Sequence, residues 1–173
     1  TYLAARSPVS LNWMASTRAD LASPMVAVVA AAGAGKTHLA AQMSAQGDSP
    51  SAGVFIQGAQ LRRAATLDDL AVRIPELKVE CFDDLLEALE SAGARAGQRI
   101  PLFIDGLNEA ERPAEWRTLL DQVLPALRRY EHVLVIVTLR EPLAEHALPD
   151  GAVRFDLEWQ DSEARDVIRV YFD

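Results

Sequence analysis

Five apolar runs punctuate the chain: "MVAVVA" at 25–30, "GVFIQG" at 53–58, "IPLFIDG" at 100–106, "HVLVIVTLR" at 132–140 and "AVRFDLEW" at 152–159. Three of them are near-continuously apolar, the pattern of strands covered on both faces. Between the runs the period becomes helical. Leu67, Leu70, Ala71 and Ile74 fall at i, i+3, i+4 and i+7 behind Thr66, which forms a capping-box-like start with Asp69. Phe82, Leu85, Leu86 and Leu89 repeat the spacing. Trp116, Leu119, Leu120, Val123, Leu124 and Leu127 extend it behind Pro113, a residue suited to the first helical position, while Pro125 predicts a late kink. All these stripes are read as core. Strands alternating with helices need crossover connections, which predicts an α/β fold: a three-layer α/β/α sandwich around a mostly parallel, five-stranded sheet. A shorter amphipathic pattern (Leu11, Met14, Ala15, Leu21) marks residues 1–24 as a leading helix and linker.

Composition narrows the function classes. A chain of 173 residues, half of them hydrophobic, can bury one real core, so one principal domain is expected. The net charge of −8 works against a direct nucleic-acid or acidic-membrane surface, because clustered Lys and Arg carry such binding. Arg62-Arg63 and Arg128-Arg129 read as solvated helix faces. The single cysteine, Cys81, excludes an intrachain disulfide and is expected to be a core or half-buried thiol, and His38, His132 and His146 lack zinc spacing. No stretch approaches the ~18–20 consecutive apolar residues of a membrane span, and the start lacks the order of a signal peptide. A cytoplasmic location is expected. Because the chain starts at Thr1 and ends at "VIRVYFD" inside a helical pattern, it is expected to be a piece of something longer.

Three stretches carry chemistry. In "VVAAAGAGKTHLA" (28–40) the spacing is that of a phosphate loop, G-x-x-x-x-G-K-[ST], with Ala30 where the first glycine normally stands. Backbone N–H groups of Gly33, Ala34, Gly35, Lys36, Thr37 and His38 would converge on phosphate oxygens, helped by the dipole of the helix expected at "THLAAQMSA". Lys36 would reach the β- and γ-phosphates, and the Thr37 hydroxyl would complete a Mg²⁺ shell otherwise made of phosphate oxygens and water. In "IPLFIDGLNEA" (100–110), an aspartate at the carboxyl end of a buried strand is costly for packing but well placed for a metal. Asp105 is therefore read as the Walker B aspartate. Glu109 would orient or deprotonate an attacking water, the alternative being a carboxylate favoured by the dipole of a following helix. Asn108 is a cap or polar partner. In "VIVTLREP", Thr138 and Arg140 are two apart, hence on one face of a strand, and both could face the nucleotide. Arg140 would either sense the γ-phosphate or pair on the surface with Glu141 or Glu145.

Taken in order, "AAGAGKT", "LFIDGLNEA", "VLVIVTLRE" and "LEWQDSEARDVIRVYF" resemble the nucleotide-binding core of the STAND family of P-loop NTPases, particularly its NACHT-like members. The resemblance covers about residues 25–160, with 161–173 similar to the start of the family's helical accessory subdomain. It implies an ASCE-type P-loop fold in which the strand carrying Thr138 and Arg140 lies between the P-loop strand and the strand carrying Asp105. Lys36, Asp105 and Arg140, the last as sensor 1 arginine, would then surround one γ-phosphate. It further implies an ATP/ADP switch that uses Mg²⁺, self-associates on activation, and answers to sensor and effector domains outside this chain, as in bacterial antiphage proteins. Asn108 stands where the family has an acid. That leaves Glu109 as the carboxylate for water activation and makes slow hydrolysis the expectation.

Other classes make different predictions. A cycling AAA+ ATPase shares the same three stretches but needs a second sensor arginine and an arginine finger supplied in trans. A GTPase lacks support because no N-K-x-D motif follows the Walker B strand. A small-molecule kinase would need an acceptor site or lid, for which only "AQLRRAAT" offers room. A decayed, non-hydrolysing scaffold would rest on Ala30 and Asn108, against the retained Lys36, Thr37, Asp105 and Arg140.

Overall fold

A computed structural model describes residues 23–33, 35–37, 53–60, 66–72, 74 and 77–156. Their elements run β1 (Met25–Val29), β2 (Val54–Gln57), α1 (Leu67–Ala71), α2 (Phe82–Ala96), β3 (Ile100–Asp105), α3 (Glu115–Leu127), β4 (Val133–Leu139), α4 (Glu141–Ala147) and β5 (Val153–Asp156). Single 3-10 turns follow β2 at Gly58–Gln60 and β3 at Leu107–Glu109. The leading pattern before residue 23, the helix expected after Thr37, the Arg62-Arg63 pair and the accessory segment 161–173 lie outside the described residues.

The strands form one sheet in the order β2-β3-β4-β1-β5, and every pairing is parallel. The expected mostly parallel sheet is thus wholly parallel, with β4 between β1 and β3. Central strands β1, β3 and β4 are buried along their whole length, as continuous apolar runs require, whereas edge strands β2 and β5 are partly open. Pro101 is tolerated inside β3 for a local reason. Ile100 N–H bonds toward β4, so position 101 faces β2, whose pairing begins only at Leu102.

The steps β2 to β3, β3 to β4 and β4 to β5 all cross the sheet in one direction. Right-handed crossovers therefore set their helices on one face. There the apolar stripes of α1 to α4 meet Met25, Ala27, Val29, Leu102, Ile104, Val135 and Val137 in one core, with Trp116 and Leu120 fully enclosed. Val26, Val28, Phe103, Leu134 and Ile136, alternating with that set, form a separate buried cluster on the opposite face.

Helix boundaries follow their caps. Thr66 and Asp69 make the reciprocal capping box that starts α1, and the Asp68 carboxylate of α1 accepts from Phe82 N–H at 2.7 Å, tying α1 to the start of α2. Cys81, half-buried as expected, caps α2 through its Sγ. Two boundary expectations are corrected. Pro113 is not the first helical residue of α3, because i to i+3 turns closed on the carbonyls of Arg112 and Pro113 precede the helix, which runs from Glu115. The run 53–58 stops as a strand at Gln57, since Gly58 turns into the first 3-10 segment. Pro125 lies inside α3, which ends two residues later at Leu127. No described helix is long and apolar enough to cross a membrane.

Candidate functional site

The carboxyl ends of β1, β3 and β4, neighbours in the sheet, deliver three loops to one place. From β1, Ala30 continues the ladder by one bond, its N–H donating to Leu139 O at 3.2 Å, and its side chain is buried. An alanine therefore fits where a phosphate loop usually has its first glycine. Gly33 and Gly35 follow with φ of 77° and 72°, left-handed conformations that a side chain would strain. The backbone is already helical at Lys36 and Thr37. Lys36 folds back over the loop, its Nζ donating to Ala31 O at 2.6 Å and Ala30 O at 3.1 Å. Ala34 and His38, expected to lend backbone N–H groups, lie outside the described residues.

From β3 comes Asp105, buried and held from both sides. Thr37 Oγ1 donates to its Oδ2 at 2.6 Å and Thr138 Oγ1 donates to its Oδ1 at 2.5 Å. Thr138 also accepts from Gly106 N–H at 2.9 Å, so a single hydroxyl fastens the carboxylate and the turn behind it. The expectation that Thr138 faces the nucleotide is corrected in this respect. It lies on the predicted face, but its one hydroxyl proton goes to Asp105 and its oxygen accepts from Gly106 N–H, which leaves it no proton to offer a phosphate oxygen. Gly106, at φ 72°, bends the chain into the Leu107–Glu109 turn, which is anchored by the fully buried Leu107 and presents Asn108 and Glu109.

From β4, Arg140 emerges just past the strand end. Neither proposed surface partner holds it: Glu141 binds Arg154 at 2.6–2.7 Å, and no ion pair joins Arg140 to Glu145. Instead Arg140 lines a pocket of about 270 Å³ together with Ala32, Gly33, Gly35, Lys36, Thr37, Asp105, Gly106, Asn108 and Glu109. The structure thus gathers into one cleft the described phosphate-loop residues and all three predicted catalytic residues. Asn108 is not a cap, as neither the 3-10 turn nor α3 has a side-chain cap. Glu109 belongs to the 3-10 turn and not to a helix start, so a helix dipole is not what places it.

Two cations, Lys36 and Arg140, share the cleft with two carboxylates, Asp105 and Glu109. Burial lowers the Lys36 pKa, the neighbouring Arg140 guanidinium lowers it further, and Asp105 and Glu109 pull in the opposite direction. Two cations held close without an intervening anion destabilise each other; a polyphosphate between them relieves both. Hard oxygen donors on Thr37 and Asp105, adjacent and converging, fit Mg²⁺. Among the described residues no group of three or more His, Cys, Asp or Glu gathers to hold a metal. The two donors would hold the ion only with phosphate oxygens and water completing the shell.

One contributor was missed in the sequence. A Cβ at Gly58 would lie 2.8 Å from Gly106 O and 3.0 Å from Asp105 O, so this position must be glycine for the turn after β2 to pack on the Asp105–Gly106 turn. The only signal was a glycine directly after an apolar run.

No family model and no curated protein matches the chain in sequence. Its fold is similar to that of Drosophila ORC bound to DNA, with a TM-score of 0.54 and 17% identity over 87% of this chain and 42% of that one. It is also similar to Cdc6p from Pyrobaculum aerophilum, with a TM-score of 0.50 and 14% identity over 94% of this chain and 46% of that one. A looser likeness, TM-score 0.44 at 18% identity over 87% of this chain and 23% of the other, links it to a Signal Transduction ATPase with Numerous Domains from Pyrococcus horikoshii that has a tetratricopeptide repeat sensor. The chain spans less than half the length of each. At such identities the likeness concerns the fold alone, a parallel α/β sheet flanked by helices.

Proposed function

We propose that this chain is the nucleotide-binding core of an ATP/ADP switch with slow ATP hydrolysis. The observation that carries the reading is the connected set Thr37–Asp105–Thr138, with Lys36 and Arg140 turned into the same cleft. In this reading Gly33 to His38 cradle the β- and γ-phosphates through backbone N–H groups, and Lys36 exchanges its two loop carbonyls for phosphate oxygens. Thr37 and Asp105 hold Mg²⁺, which when bound neutralises charge on the β- and γ-phosphates. Arg140 contacts the γ-phosphate and so distinguishes triphosphate from diphosphate. Glu109 takes the proton of the attacking water.

One feature of the cleft supports slow hydrolysis. The Glu109 carboxylate is exposed and no hydrogen bond or ion pair fixes it among the described residues, so a general base is present without a rigid mount. A slow enzyme of this kind serves as a switch, and the STAND-like order of motifs supports signal-dependent self-association, as in antiphage proteins of that family. Residues 25–160 would be the core, 1–24 its leading helix and 161–173 the beginning of a helical accessory subdomain.

The test is to denature the purified protein and identify the released nucleotide by chromatography, with Lys36→Ala and Glu109→Gln beside it. Adenine nucleotide is expected in the parent, none in Lys36→Ala, and a raised ATP:ADP ratio in Glu109→Gln. Guanine nucleotide, or unchanged content in Lys36→Ala, would overturn the reading.

A further inference from the structure

Arg140 follows β4 in extended backbone, at φ −95° and ψ 150°, and α4 starts on the next residue, Glu141. Standing outside the helix, its long side chain can turn either into the cleft or along the first turn of α4. It lines the cleft, and it has no hydrogen-bond or ion-pair partner among the described residues. Glu141 is the carboxylate next to it in sequence and does not line the cleft, so pairing with Glu141 would draw the guanidinium away from a bound phosphate. That pairing is forestalled from β5, on the other side of β1. Parallel pairing with Ala27, a member of the helix-face core, turns Arg154 toward α4. Arg154 Nη2 donates to Glu141 Oε1 at 2.7 Å and Oε2 at 2.6 Å. Its Nε and Nη2 also donate to Asp156 Oδ1, at 2.9 and 2.7 Å. Both oxygens of the competing carboxylate are therefore occupied and its charge is balanced.

We infer that Arg154 is a specificity-determining residue for triphosphate over diphosphate: by engaging Glu141 it leaves Arg140 to the γ-phosphate. The inference rests on the functional reading above, in which Arg140 makes that contact. Arg154 touches neither nucleotide nor Mg²⁺ and acts only through Glu141. Its effect is modest, because the Arg154 and Glu141 side chains are 36% and 62% exposed and exposed ion pairs are weak and screened by salt. It is also selective. ADP has no γ-phosphate for Arg140 to lose, so its binding does not depend on where that guanidinium points.

The test is equilibrium titration of the full chain at low ionic strength with ADP and with a non-hydrolysable ATP analogue, both with Mg²⁺. The parent is compared with Arg154→Met, which keeps an apolar stem and removes the guanidinium, with Glu141→Gln, and with the two substitutions combined. Arg154→Met is expected to lower the preference for triphosphate about two- to fivefold, the scale of one exposed charge pair, with ADP affinity unchanged. Adding Glu141→Gln is expected to restore the preference, and raised salt to shrink the difference between Arg154→Met and the parent. An unchanged preference in Arg154→Met overturns the inference. So does a loss that Glu141→Gln fails to repair, since Arg154 would then only support β5. Arg140→Met controls for the reading beneath: if that variant keeps the parent's preference, or if the parent binds no nucleotide, the functional reading falls and the inference with it. Should Arg154→Met not fold, Arg154→Gln carries the same comparison with the same outcomes.

Discussion

Thr138 shows how much can hang on one hydroxyl. It donates to Asp105 Oδ1 and accepts from Gly106 N–H, both in a buried setting. Thr138→Val keeps the shape but leaves that N–H unpaired and frees the carboxylate on one side. The expected loss is about 1–3 kcal/mol of stability by chemical denaturation, together with weaker Mg²⁺-dependent ATP binding. Equal ATP affinity in both proteins would mean that Asp105 needs no second anchor. The face that Thr138 occupies was legible from alternation along the strand. Its partner was not, because the contact depends on the pairing of Ile104 with Val137, which sets the end of β3 beside that of β4. Ala30 teaches the reverse lesson: the motif departs from its usual glycine, but the ladder bond to Leu139 absorbs the substitution.

Between elements, two contacts join parts of the chain far apart in sequence. The turn after β2 touches the Asp105–Gly106 turn at Gly58, where a methyl group would press on backbone carbonyls. Gly58→Ala is expected to lower the unfolding free energy by about 1–3 kcal/mol, measured by urea unfolding, and to weaken ATP binding through displaced Gly106. A fully stable variant would mean that the two turns separate freely. At the opposite end of the sheet, Glu90 of α2 accepts from the backbone N–H of His132 at 2.8 Å and meets its Nδ1 at 2.7 Å, just before β4. Burial raises the Glu90 pKa, but the hydrogen bonds from His132 outweigh it and hold the carboxyl below its ordinary value of 4.5. A depressed carboxyl stabilises the fold above its unfolded pKa, and the contribution is lost as pH falls through the folded value. Glu90→Gln should therefore flatten the loss of stability below about pH 4.5, seen as melting temperature against pH; an unchanged acid profile would deny the pair that role. Thr66 with Asp69, and Phe82 with its successors, were legible because caps and stripes are local. Neither Gly58 nor Glu90 announced its distant partner.

For the molecule as a whole, nucleotide binding should be readable as stability, since a ligand that binds only the folded state adds RT ln(1 + [L]/Kd). At ATP concentrations ~100 times Kd the gain is about 2.7 kcal/mol, or roughly 5–10 °C in Tm for a chain of this size. If Thr37 and Asp105 hold Mg²⁺ against the phosphates as proposed, EDTA should remove part of the shift. Lys36→Ala should remove it altogether, and a shift that persists in that variant would place the nucleotide elsewhere. The cleft exists at this scale because the order β3-β4-β1 brings the ends of these three strands side by side.

By itself the sequence determined the strand runs, the helical stripes and the caps, and it singled out Lys36, Thr37, Asp105, Glu109 and Arg140 as candidates for handling phosphate. Each rests on spacing within a few residues, where periodicity and turn chemistry act. Tertiary structure decided which loops meet. It brought the carboxylate to Thr37 and Thr138 across 68 and 33 residues, made glycine obligatory at position 58, and buried Asn108 Oδ1 without a hydrogen-bond partner among the described residues. Such contacts depend on long-range strand pairing and on which polar atoms remain unmatched after packing, and neither is encoded in any short window of sequence.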